Sequence, residues 1–71
     1  MEAVFDTECH RLIEKKDWEQ LYEYTRNYLE AIKGKSFCGY FYMGISFYKE
    51  NDYENAIKAF EKAEILNSED P

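Results

Sequence analysis

Nine basic residues, two cysteines, three glycines, one histidine and one proline are all that 71 residues supply of those types. Each shortage removes a class of function. Nine Lys and Arg against fifteen Asp and Glu leave a net charge of −6, which excludes non-specific nucleic-acid binding, because that needs cations to neutralise phosphates. Cys9 and Cys38 allow at most one bridge, whereas secreted disulfide frameworks of this size carry more. A reducing, cytoplasmic setting is the simpler expectation. The N-terminal residues agree, since Glu2, Asp6 and Glu8 stand where a secretory signal would place positive charge and then an apolar run. No apolar run is long enough for a membrane: the uncharged stretch from Ser36 to Tyr48 is 13 residues, short of the roughly 20 a spanning helix requires. No Gly-rich loop frames a pocket, and nowhere do apolar and polar residues alternate over the length of a strand.

What is present is aromatic: seven Tyr, five Phe and one Trp, too many for a disordered acidic tail. They fall into four helical patterns, so the fold class is all-α. The first helix is predicted from about Ala3 to Glu14, with Phe5, Cys9 and Leu12 on one face. Asp17, with Gln20 three residues on, caps a second helix that passes Leu21, Thr25, Tyr28 and Ile32 toward a stop at Gly34. Ser36 caps a third, running through the uncharged stretch to Lys49-Glu50-Asn51. Asp52 caps the fourth, in which Ala56, Phe60 and Ala63 share a face before Asn67 to Pro71 end the pattern. Connections this short make neighbours antiparallel. The architecture expected is two tandem helix-turn-helix hairpins, divided as 1–34 and 35–71.

The hairpins echo each other. Asp17-Trp18-Glu19 corresponds to Asp52-Tyr53-Glu54 at a separation of 35 residues, a period characteristic of helical repeat arrays. From Tyr40 onward the sequence resembles a tetratricopeptide repeat. Tyr40, Met43-Gly44 and Phe47-Tyr48 fit the family's first helix, and Asp52-Tyr53, Ala56, Phe60 and Ala63 fit its second. The first hairpin is a degenerate match: Phe5, Leu12, Asp17 and Trp18 agree, but Glu8-Cys9 replaces Leu-Gly, and Leu21, Thr25 and Tyr28 replace Ala, aromatic and Ala. In the second hairpin Glu64 and Ser68 stand where the family has Leu and Pro. The resemblance implies a right-handed superhelical stack and a non-catalytic protein–protein interaction module.

The residues themselves carry little reactive chemistry. Cys9, His10 and Cys38 are the only soft ligands, and they lack the paired spacing of a tetrahedral zinc site. They read as two small buried thiols and one surface imidazole. No third group marks a nucleophile and base, and the many carboxylates read as solvated helix faces, so neither enzyme activity nor a cofactor or metal is expected. Glu54 and Lys58 form an i,i+4 pair worth a few tenths of a kcal/mol.

More informative is the third helix. Tyr40, Met43, Gly44 and Phe47 form one face for packing against the fourth helix. Cys38, Phe41, Ile45 and Tyr48 form a second apolar stripe about 130° away. By the resemblance, that stripe lies on the inner surface of the array, where the first hairpin supplies Ala3, Asp6, His10 and Ile13. Cys38, Phe41, Ile45, Tyr48, Asp6, His10 and Ile13 are thus the candidate peptide-binding residues. Family members that grip acidic chaperone tails use Lys, Arg and Asn on this face. With Asp6, His10, Phe41 and Ile45 there instead, the partner expected is a protein or peptide segment with apolar anchors, without nucleic acid or membrane. The competing reading makes the same stripe core. A second alternative is a homo-oligomer, self-associating through an uncapped helical end, because repeat arrays generally need about three repeats and a polar terminal face. Ser68-Glu69-Asp70-Pro71 reads as the cap and first turn of a further helix, which fits a segment of a longer array.

Overall fold

The second, third and fourth helices begin where the sequence offers a side chain to their first amides. Asp17 accepts from the Gln20 amide at 3.3 Å, Ser36 Oγ accepts from Gly39 at 3.0 Å, and Asp52 Oδ1 accepts from Asn55 at 3.5 Å. The computed structural model, which describes residues 2–69 and the side chains of 4–67, accordingly contains α1 (Glu2–Glu14), α2 (Trp18–Ala31), α3 (Phe37–Lys49) and α4 (Tyr53–Glu69). Among the described residues there is no strand, and no helix is long and apolar enough to cross a membrane.

The turns obey one rule. Lys16, Lys33 and Asn51 adopt φ of 58°, 59° and 66°, the left-handed conformation that ends a helix, and Gly34 follows Lys33 at 70°. The amide after Lys16, Lys33 or Asn51 reaches back five residues: Asp17 to Leu12 O at 3.0 Å, Gly34 to Leu29 O at 2.7 Å, Asp52 to Phe47 O at 2.9 Å. The first and last of these turns are superposable in sequence at a shift of 35. Asn51 and Gly34 suit the conformation, whereas Lys16 and Lys33 hold it at a cost of roughly 1 kcal/mol each.

The fourth helix departs from expectation at its end. It continues through Asn67 and Ser68 to Glu69, because Asn and Ser lower helix propensity by well under 1 kcal/mol each and do not break a helix. Ser68 therefore belongs to α4 and does not cap a further helix, and Asp70 and Pro71 lie outside the described residues.

Packing differs between the hairpins because the side chains differ in bulk. In the first, Phe5 is 2 % exposed and stacks on Tyr28 with ring centroids 3.8 Å apart and on Tyr24 at 5.4 Å, so aromatic rings separate α1 from α2. In the second, Ala56, Ala59 and Ala63 are buried, and a Cβ on Gly44 would sit 2.5 Å from the Phe60 ring. Small residues let α3 and α4 pack closely together. Phe5, Cys9, Leu21 and Tyr42 form the centre of the core, with α3 lying between α2 and α4. Buried hydroxyls are satisfied locally: Thr25 Oγ1 donates to Tyr22 O at 2.9 Å and Ser46 Oγ to Met43 O at 2.6 Å.

Candidate functional site

A helix without charge before its last residue, Lys49, has little sequence signal for which side faces water, and α3 uses three sides. Gly44 meets Phe60 of α4, as the first stripe requires. Tyr40, Met43 and Phe47 line a shallow cleft with Asn55, Lys58 and Lys62 of α4. The second stripe divides. Cys38 and Ile45 are half-buried and pack against the core, as does Ile13 of α1. Phe41 and Tyr48 stay open, 40 % and 53 % exposed. The side chain of Ala3 lies outside the described set.

Asp6 and His10 are brought together, one turn apart on α1, by a residue outside both sequence stripes. Tyr42 is 7 % exposed. Its hydroxyl donates to Asp6 Oδ1 and lies 3.1 Å from His10 Nε2, while that nitrogen is 3.6 Å from Asp6 Oδ2. Burial, then the hydrogen bond to Asp6 and its charge, raise the Tyr42 phenol well above its ordinary range, so it remains a neutral donor. The trio clasps α1 to α3. His10 is thus exposed but bonded, rather than a plain surface imidazole. Tyr42 sits one turn after Cys38 and one before Ser46, so an i,i+4 row ran through it in the sequence. Its size and hydroxyl, on a helix with apolar residues all round, concealed its inward place.

Around Phe41 and Tyr48 the exposed apolar surface extends further than the stripe. Phe37 stacks on Phe41 with centroids 5.8 Å apart, Phe41 touches Phe60 at 6.0 Å, and Tyr48 meets Tyr53 edge-on at 5.5 Å. Ile57, one helical turn beyond Tyr53, is 58 % exposed. The surface therefore crosses from α3 to α4. Phe37, Tyr53 and Ile57 escaped the candidate set because heptad-like spacing reads one helix at a time and says nothing of which rings meet across a pair.

No reactive group accompanies this surface. Cys9 is fully buried, and burial, with Asp6, Cys38 and Glu8 nearby, pushes its thiol up to about 12, which leaves it protonated and inert at neutral pH. Cys38 is half-buried rather than buried. Among the described residues no three His, Cys, Asp or Glu side chains are placed to hold a metal ion. Lys58 and Glu54 pair at 3.8 Å, as their spacing predicts, and Arg11 pairs with Glu8 at 3.1 Å. What the arrangement offers is an apolar face beside acidic side chains.

Comparison with known proteins bears on the second hairpin. Residues 37–70 match the family model for the tetratricopeptide repeat. No curated protein and no solved structure matches the chain.

Proposed function

We propose, from the premise that residues 37–70 form a tetratricopeptide-like repeat, that the chain binds an apolar or amphipathic segment of a partner protein on the face carrying Phe41 and Tyr48. Such repeats generally serve protein–protein interaction. The observation that carries the finer reading is the set of exposed side chains Phe37, Phe41, Tyr48, Tyr53 and Ile57, in which Phe37 stacks on Phe41 and Tyr48 meets Tyr53 across α3 and α4. Clustered exposed apolar side chains of this kind mark interaction sites in soluble domains. Asp6 and His10 form one edge of the site, held by Tyr42. Cys38, Ile45 and Ile13 support it from beneath. Residues 1–34 and 35–71 are its two structural halves.

Tyr48→Glu tests the reading, because Tyr48 is half in solvent and its replacement leaves the core intact. The expected result is loss of binding to an amphipathic helical peptide, by tenfold or more, with helical circular dichroism and melting unchanged. Unchanged affinity, or collapse of the fold, contradicts it.

A second reading, assembly through the end of the stack, draws on Ile65 of α4, which is 58 % exposed. If it holds, Ile65→Glu lowers the mass measured by light scattering. A wild-type mass that stays monomeric over a wide concentration range dismisses it.

A further inference from the structure

The first hairpin already holds a helix, and the 35-residue correspondence transfers its seat to the second. Four contacts define how α3 rests on the first hairpin. Tyr42 meets Asp6 and His10. Phe47 meets Tyr22 with centroids 5.2 Å apart. Lys49 Nζ stands 5.8 Å above the Trp18 ring. Gly39 lies so close to Leu29 that a Cβ would come within 2.6 Å of Leu29 Cδ2. The turns at Lys16 and Asn51 share their backbone hydrogen bonds at this shift, so the counterparts follow residue by residue: Phe41 and Ile45 for Asp6 and His10, Ile57 for Tyr22, Tyr53 for Trp18, Glu64 for Leu29. Phe41, Tyr53, Ile57 and Glu64 are all exposed. The second hairpin thus presents the same seat, open.

The chemistry of the seat has changed, and the change specifies its occupant. Where Tyr42 needed a hydroxyl for Asp6, the occupant meets exposed Phe41, with Ile45 half-buried beside it, and must be apolar. Opposite Ile57 it is apolar again. Over Tyr53, as over Trp18, a cation is favoured by the ring face. Opposite Glu64, where Gly39 met a leucine, a Lys or Arg is favoured, and Glu61 and Glu54, one turn either side of Ile57 and both exposed, add to the negative margin. Lys58 is the positive charge within it, paired to Glu54.

Resting on the interaction reading above, we propose that the occupant is a cationic amphipathic helix of a partner protein, seated as α3 is seated, with a basic residue at i, apolar residues at i+3 and i+8, and a second basic residue at i+10. No stretch of these 71 residues has that pattern: Lys35, with Cys38 and Met43, has Ile45 at the last place, and Lys16, with Tyr24 and Arg26, has Glu19 at i+3. A second copy, itself carrying a net charge of −6, does not supply the cations.

The test titrates the full chain with three labelled helical peptides that share the apolar residues and carry Lys, Gln or Glu at both charged positions. The lysine peptide is expected to bind at least tenfold more tightly than the glutamine peptide, and to lose that advantage in high salt and in Glu64→Lys. The glutamate peptide is expected to bind weakest, and Ile57→Asp, with unchanged circular dichroism, to weaken all three. Equal binding of the three peptides, lost in Ile57→Asp, overturns the cationic helix while leaving the apolar site in place. Binding of none overturns both. A dimer by light scattering that the lysine peptide does not dissociate assigns the seat to a second copy and overturns the proposal.

Discussion

Two residues show how much one side chain decides. The Tyr42 hydroxyl is the polar link between α1 and α3, donating to a carboxylate. A hydrogen bond to a charged acceptor contributes about 1.5–3 kcal/mol, and because Asp6 is nearly half exposed the lower end applies. Tyr42→Phe is expected to cost about 1–2 kcal/mol in urea unfolding, and Asp6→Asn in the same background to add little, since the two act as one unit. Full additivity would separate them. Cys9 makes the fold sensitive to base. Its thiol titrates near its ordinary 9.0 when unfolded and at about 12 when folded. The folded state therefore holds the proton more tightly. Stability is complete below pH 9 and falls as pH rises from there toward 12, with a limiting slope of about 1.4 kcal/mol per pH unit for one proton. Cys9→Ala should flatten that slope in melts recorded from pH 8 to 11. An unchanged slope would assign the base sensitivity to the tyrosines.

Helix pairs are set by what stands between them. Gly44 and the alanines of α4 let α3 and α4 close up, so Gly44→Ala must displace the Phe60 ring and is expected to cost about 1–3 kcal/mol, the usual range for overpacking. Gly39→Ala meets Leu29 at a similar distance but at the other interface, between α3 and α2. Chemical denaturation of both single variants and the double, with near-additive losses, checks that the two faces of α3 are independent. This helix also shows what sequence can convey. Its limits, the caps at Asp17 and Ser36, the αL stop at Gly34 and the close approach at Gly44 were all legible, because each is a local rule of backbone geometry or side-chain volume. The sorting of Cys38 and Ile45 inward and Phe41 and Tyr48 outward was not. On a helix without charge, burial is decided by neighbours distant in sequence, here Phe5, Asp6 and His10 on one side and Phe60 on the other. The same limit hid Tyr42, whose partners lie 32 and 36 residues away. At the far end of α4, Asn67 and Ser68 looked like a stop although neither residue breaks a helix.

As a whole, the molecule is a hairpin that holds a helix, followed by a hairpin that shows the same seat to solvent. The first seat is polar at Asp6 and His10, and the second is apolar at Phe41 and Ile45 with Glu64 at its margin. On the proposed reading, binding and folding use one geometry twice, which is the usual economy of stacked repeats. The most direct test is amide chemical-shift mapping of the isotope-labelled chain on addition of the amphipathic helical peptide. Shifts should gather at Phe37, Phe41, Tyr48, Tyr53, Ile57 and Glu64, while Tyr22, Thr25 and Leu29, covered by α3, stay still. Shifts centred on α2, or spread through the core residues Phe5, Cys9 and Leu21, would contradict the open seat on the second hairpin.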